Sequence, residues 1–298
     1  MSSIPLPLAL FALAVGAAPL AGQQQLDRRM AADPGVSVRI VNLAGRTRVT
    51  GWDRDTVAVR GTIPRGGGSF YMGGGRQGIK VGVEGPTEGE TPGSVLEVLV
   101  PRHARVWVKS ATADVAIEQV TGEIDVYSVT GAVTISGTPV LVTAESMEGN
   151  IEVRARSSVT RVKSAGGDIT LYGPGGDVTA SSVSGTVRLV DAQDLKNGHI
   201  ESVSGGVLFR GGLAKGGVLD LQTHDAPIEL SLAPGQGAVL DVSAFGGTVR
   251  NLVPGMTAEV KGKTARYTVG DESARVSVRS LKGDVLLRRR MPRPNLQP

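Results

Sequence analysis

Gly73, Gly75 and Gly78 spell the Gly-x-Gly-x-x-Gly string that can cradle a dinucleotide pyrophosphate. That chemistry needs a strand before the string and a helix after it, so that backbone N–H groups and a helix N-terminus face the phosphates. Here three glycines, Gly66 to Gly68, precede the string, and the alternation Ile79, Val81, Val83 follows it. Gly262-Lys263-Thr264 has the end of a phosphate loop, but position 257 is Thr257 where a glycine is required, and no helix pattern follows. Gly166-Gly167-Asp168 and Gly175-Gly176-Asp177 stand nine residues apart, as in calcium-binding nonapeptide repeats. The neighbouring units lack the aspartate, so these pairs read as ordinary turn chemistry. His103, His199 and His224 are far apart in sequence, and only His224 adjoins a carboxylate, Asp225. A metal site needs three or four converging ligands. The reading therefore assigns no catalytic, cofactor-binding or metal-ligating residue.

Behind these candidates lies the periodic pattern that must position them. Counting nine from Ala113 reaches Gly122, Gly131, Val140, Gly149, Ser158, Gly167, Gly176 and Gly185. Two and four residues past most of these positions stand apolar pairs: Val115/Ile117, Ile124/Val126, Val133/Ile135, Ile151/Val153, Ile169/Leu171 and Val187/Leu189. Period-two alternation marks a half-buried strand, and a fixed repeat marks a stacked architecture. Ser128, Ser146, Ser164 and Ser182 each precede a corner glycine by three residues, so two nine-residue strand-turn units make one 18-residue coil. A serine there can bond the turn backbone, and glycine permits the positive φ that turns often need. Past Gly185 the corners fall at Gly205, Ala226, Gly247 and Gly283, with coils of 20 to 21 residues before the last step. The expected fold is all-β, a β-solenoid or β-helix-like repeat of 18–21-residue coils.

Composition narrows the partners. Among 298 residues there is no cysteine, so neither disulfides nor thiolate chemistry is available. The net charge of +4 comes from Arg288, Arg289, Arg290 and Arg293; without them basic and acidic residues balance at 28 each. No Lys/Arg cluster with interleaved aromatics marks a nucleic-acid face. The apolar stretch around Leu8–Ala18 is shorter than the about 20 residues that span a bilayer and fits an export signal. The expected organisation is a signal peptide over 1–22, a polar leader over 23–35, a β-repeat domain over 36–290 with a flexible Gly-rich loop over 64–78, and a disordered basic, Pro-containing tail over 291–298. No transmembrane anchor is expected.

Val38-Arg39-Ile40-Val41-Asn42-Leu43-Ala44-Gly45 is followed by Val49-Thr50-Gly51-Trp52-Asp53, then by Leu96-Glu97-Val98-Leu99-Val100-Pro101 and the Ser/Thr-x-x-Gly-x-Val/Ile-x-Val repeats from Ser110. This order resembles a bacterial family of exported β-repeat proteins described as putative adhesins, a domain of unknown function. The resemblance spans roughly residues 35–290. It implies a β-solenoid-like fold and an envelope location, in the periplasm or at the cell surface, and brings no catalytic residues. The leading expectation is a non-catalytic exported adhesin-like or envelope interaction protein whose partner is an envelope or surface component, protein or polysaccharide. Two alternatives stand beside it: a carbohydrate-active enzyme on a β-helix, and a periplasmic partner in envelope-stress signalling.

Overall fold

The computed structural model describes residues 23–85 and 92–289; the expected signal peptide and the 291–298 tail lie outside them. The N-terminal part holds β1 (Gln24–Ala31), β2 (Ser37–Val41), β3 (Gly45–Trp52), β4 (Thr56–Ile63), β5 (Ser69–Gly75), β6 (Gly78–Glu84) and β7 (Ser94–Pro101). The repeat region holds β8 (Arg105–Lys109), β9 (Asp114–Glu118), β10 (Glu123–Ser128), β11 (Val133–Gly137), β12 (Leu141–Ser146), β13 (Ile151–Ala155), β14 (Val159–Ser164), β15 (Ile169–Tyr172) and β16 (Gly176–Ser182), then the long β17 (Val187–Ser202) and β18 (Val207–Thr223). The chain continues through β19 (Ile228–Leu232), β20 (Ala238–Ala244), β21 (Val249–Asn251), β22 (Thr257–Lys261), β23 (Thr264–Val269), β24 (Arg275–Ser280) and β25 (Val285–Arg289). The fold is all-β, with no helix among the described residues.

Most strands pair in parallel, in two stacks. The first runs β6-β2-β8-β10-β12-β14-β16, then the second halves of β17 and β18, then β24 and β20. The second runs β7-β3-β9-β11-β13-β15, then the first halves of β17 and β18, then β19, β25 and β21. Glu123 faces Leu141 and Leu141 faces Val159, so the register steps by 18 residues, the spacing of the corner serines. The predicted apolar pairs are inside: Ile124, Val126, Ile135, Ile169, Leu171, Val187 and Leu189 are all fully buried. Larger steps after Gly185 are absorbed by register shifts within β17, where Asp191 and Asp194 take left-handed φ of 57° and 51°. Aspartate tolerates that conformation better than most residues.

Four expectations need correction. The segment read as a polar leader contains β1, paired antiparallel with β4 and burying Leu26. Its polarity is that of an edge strand, where charged side chains discourage further pairing. The segment read as a Gly-rich loop over 64–78 forms β5 and the turn of an antiparallel hairpin with β6; Phe70 and Met72 pack on the core. Glycine-rich strands lack the side-chain alternation by which strands are recognised. The corner glycines Gly131, Gly149, Gly167, Gly185 and Gly205 do not take positive φ. A Cβ on each would overlap the carbonyl oxygen of the corner residue in the preceding coil, so glycine is required for close stacking rather than for turn geometry.

The last correction concerns order. In sequence the final corners run Ala226, Gly247, Gly283, but in space Gly283 stacks on Ala226 and Gly247 on Gly283. After the hairpin β22–β23, which caps β20, the chain returns and inserts β24 between β18 and β20, and β25 between β19 and β21. The N-terminal end mirrors this, with β2 inserted between β6 and β8, and β3 between β7 and β9. Both ends are interleaved and finished with antiparallel strands, which limits open parallel edges.

Candidate functional site

The residues singled out for chemistry are mostly occupied by stacking. Asp168 accepts hydrogen bonds from the Thr186 N–H and from Arg188 Nη1, each at 2.8 Å, while its own N–H donates to Asn150 Oδ1 at 2.9 Å. Burial pushes the Asp168 carboxyl up, but Arg188 and the Thr186 N–H together hold it below its ordinary value. Asp177 Oδ1 accepts from Asn197 Nδ2 at 2.7 Å. The two Gly-Asp carboxylates thus bond onward to the next strand in their own stacks instead of converging on one point. At the corners, Ser128 Oγ donates to the Gly131 carbonyl at 2.8 Å, and Ser182 Oγ accepts from the Gly185 N–H at 2.9 Å. Gly73, Gly75 and Gly78 sit in the β5–β6 hairpin, and Gly262-Lys263-Thr264 turns the β22–β23 hairpin.

The histidines stay apart. His103 Nδ1 lies 2.9 Å from Thr121 Oγ1. His199 faces Asp220 across β17 and β18, with Nδ1 at 3.4 Å from Asp220 Oδ2 and Nε2 at 3.8 Å from Glu201. His224 lies 3.7 Å from Asp225, whose carboxylate also meets Lys282 Nζ at 2.9 Å. No group of three or more metal-ligating side chains gathers among the described residues. Arg288 lies 3.9 Å from Glu229; Arg290 and Arg293 lie outside the described residues.

Two surface features have no such structural duty. The first is a ridge along one corner of the stacked strands. The residue just after each corner Ser, Thr or equivalent points out, giving the spatial order Leu43, Ala111, Val129, Met147, Ala165, Val183, Val203, His224, Leu281, Phe245. Backbone bonds fix this order: Ala111 N–H donates to the Leu43 carbonyl, Val129 to Ala111, Gly166 to Met147, Ser184 to Ala165, His224 to Val203 and Gly246 to Leu281. Seven of these ten are among the thirteen large apolar side chains exposed in the described residues. Ten positions at the strand spacing of about 4.8 Å make a ridge about 43 Å long. Isolated exposed apolar residues need no explanation, whereas a contiguous patch marks a contact surface. The signal was present in sequence as an apolar second residue in Ser-x-x-Gly: Ser128-Val129, Ser146-Met147, Ser182-Val183 and Ser202-Val203.

The second feature is an aromatic and charged area on the outer face of the first stack, near its N-terminal end. Arg39 faces Lys80 on one side and Trp107 on the other, and Trp107 faces Asp125. One residue pair along, Val41 faces Lys109, Lys109 faces Tyr127 and Tyr127 faces Glu145. The Trp107 and Tyr127 rings lie 6.0 Å apart, and the Arg39 guanidinium stands 5.9 Å from the Trp107 ring centre. Tyr71, on β5, lies over Gly82, where a side chain would collide with its ring. Beside the bare Gly73 lies a trough of about 530 Å³ bordered by Tyr71, Lys80, Arg39 and Ser37. Asp125 Oδ1 is buried without a hydrogen-bond partner. Burial, then the Glu145 charge, pushes the Asp125 carboxyl above its ordinary value, and the Asp125 charge in turn raises the Tyr127 hydroxyl. The sequence reading missed this site because its members lie on β5, β6, β2, β8 and β10, and only the interleaved topology brings Lys80 beside Arg39.

No protein-family model matches the chain, and no curated protein matches it. Solved structures similar to it include a putative adhesin from Bacteroides fragilis, 10% identical, with 89% of this chain and 97% of that one covered at a TM-score of 0.45. A putative adhesin from Parabacteroides distasonis is 12% identical, with 89% and 97% covered at a TM-score of 0.44. A putative cell adhesion protein from Clostridium sporogenes is 8% identical, with 90% and 100% covered at a TM-score of 0.26. Among the described residues no helix is long and apolar enough to cross a membrane.

Proposed function

We propose that the chain is an exported, non-catalytic β-solenoid that acts as an adhesin-like or envelope interaction protein. In this reading the two parallel stacks are the walls of the solenoid, and each coil buries its apolar pairs against the next. The observation that carries the functional reading is the ridge. Val129, Met147, Val183 and Val203 place a large exposed apolar side chain at four of five successive corners, Ala165 taking the fifth, where nothing in the core requires it. The motif order that resembles exported adhesins supports the same role. The test is the binding of labelled protein to bacterial envelope fragments. The double variant Met147→Lys/Val183→Lys is expected to lose at least tenfold in binding with an unchanged melting temperature; undiminished binding rejects the ridge as the contact surface.

One observation favours a second reading, a carbohydrate-active enzyme. Asp125 has a raised carboxyl beside Glu145 on an aromatic face, as a general acid would. Release of reducing ends from polysaccharide, abolished by Asp125→Asn, would establish it over the first.

A further inference from the structure

We propose that the trough bounded by Tyr71, Lys80 and Arg39, together with the Trp107 ring beside Arg39, is a binding site for an acidic oligosaccharide. The proposal rests on the interaction reading above and names the class of partner for a surface separate from the ridge.

Three observations converge. Lys80 and Arg39 face each other directly in register on neighbouring parallel strands. Like charges placed directly opposite destabilise a sheet, and neither side chain makes an ion pair among the described residues. A carboxylate held between them would relieve that repulsion, and Arg would grip it through two parallel N–H bonds. Next, Trp107, Tyr127 and Tyr71 stand outward on the same face in a chain with only 3% aromatic residues. Flat rings next to hydrogen-bonding groups offer the apolar face of a sugar a stacking surface, and the amphipathic rings suit a site that is partly wet. Last, the trough of about 530 Å³ is open beside Gly73, which carries no side chain and whose Cβ would meet nothing within 4 Å. From Tyr71, over Gly82, to Tyr127 is three strand spacings, about 14 Å. That length suits a short oligosaccharide lying across the strands. Ser37, which lines the trough, is available to its hydroxyl groups.

The geometry divides the work. Arg39 and Lys80 would recognise the sugar carboxylate, and Tyr71 and Trp107 would hold the rings. Full-length mature protein is titrated calorimetrically with a galacturonate trimer, a neutral galactose trimer of the same length, and an aspartate trimer peptide. Saturable binding of the galacturonate trimer at least tenfold tighter than either of the others supports the site. Arg39→Ala/Lys80→Ala should remove the preference for the acidic sugar while melting no lower than the parent, since the facing like charges are gone, and Trp107→Ala should weaken the acidic trimer at least fivefold in a protein that stays folded at the assay temperature. Should a variant melt early, Gly73→Trp, which fills the trough from an edge hairpin, serves in its place and should abolish binding. Equal binding of the aspartate peptide would mean a simple anion patch and would overturn the proposal, as would no binding of the acidic trimer or an undiminished Trp107→Ala. If glycan binding fails while envelope binding still depends on Met147 and Val183, only the glycan site is rejected. If both fail, the interaction reading falls as well.

Discussion

Replacing Gly167 by alanine puts a methyl group where the Gly149 carbonyl oxygen already sits. The neighbouring Gly166 differs: a Cβ there would meet nothing closer than the Met147 carbonyl oxygen at 3.5 Å, an ordinary contact. Neither glycine takes positive φ, so alanine's backbone preference penalises neither variant. Overpacking a tight site costs about 1–3 kcal/mol. At Gly167 the obstacle is the backbone of the adjacent coil, which has no rotamer to escape into, so the upper end applies. Alanine also restricts the unfolded chain, which returns about 0.4–1 kcal/mol to either variant. Gly167→Ala should therefore lose roughly 2–3 kcal/mol, and Gly166→Ala should be neutral or slightly stabilised. At about 2–4 °C per kcal/mol for a domain of this order, the two should melt about 5–10 °C apart. Thermal unfolding followed by far-UV circular dichroism reads the difference. Equal melting temperatures, or Gly166→Ala as the less stable variant, would refute the claim that corner glycines serve close coil-to-coil approach.

Two further outcomes follow from the same geometry. Ile151→Asp buries an unpaired charge at a position 1% exposed and should cost about 3–5 kcal/mol, whereas Glu152→Ala loses only an exposed ion pair with Arg154, worth about 1 kcal/mol or less; chemical denaturation that ranked them equal would sink the inward-outward register. Asp125 has a folded-state value above its ordinary 3.8, so its contribution to stability is fully present below that value and is lost as pH rises through the folded-state value. Asp125→Asn should accordingly melt above the parent at pH 7 and lose that advantage at about pH 3, and an advantage that persisted in acid would show that carboxylate burial is not its cause.

The middle of the fold was readable because its signals are local. Ile151 and Val153 alternate with polar neighbours, and Ser146 with Gly149 marks the corner within four residues. Neither needs knowledge of what lies elsewhere in the chain. The ends were unreadable for the opposite reason. Whether Val276 and Val278 follow or precede Leu240 and Val242 in the stack is decided by which would-be edge is left for the β22–β23 hairpin to cap. The alternation of the two segments is the same either way. The β5 strand ends in three glycines, Gly73 to Gly75, so its inward residues Phe70 and Met72 have too little pattern around them to declare a strand. The ridge was legible in principle, since Val129, Met147, Val183 and Val203 hold one fixed place in the repeat. Apolar residues at a turn look accidental until the turns are known to stack.

Stacking also decides which residues remain for function. A coil must supply inward apolar pairs, a glycine where the chain passes over the carbonyl below, and a hydroxyl or carboxylate to bond the corner. Ile151, Val153, Gly149, Ser128 and Asp168 are each committed in this way. The second corner residue and the outward side chains of the walls are not. An uncommitted position facing water is expected to drift toward polar residues, as Thr143, Arg161 and Thr179 do along the first stack. Seven of the ten corner positions instead carry valine, methionine, leucine or phenylalanine, and Lys80, Arg39 and Trp107 are placed side by side at a cost in charge repulsion. Both depart from what the fold alone requires, and in both the departure costs least when another molecule covers the surface. Because the apolar ridge runs the full stack while the charged trough is confined to one end, the two would meet chemically different partners, or different parts of one.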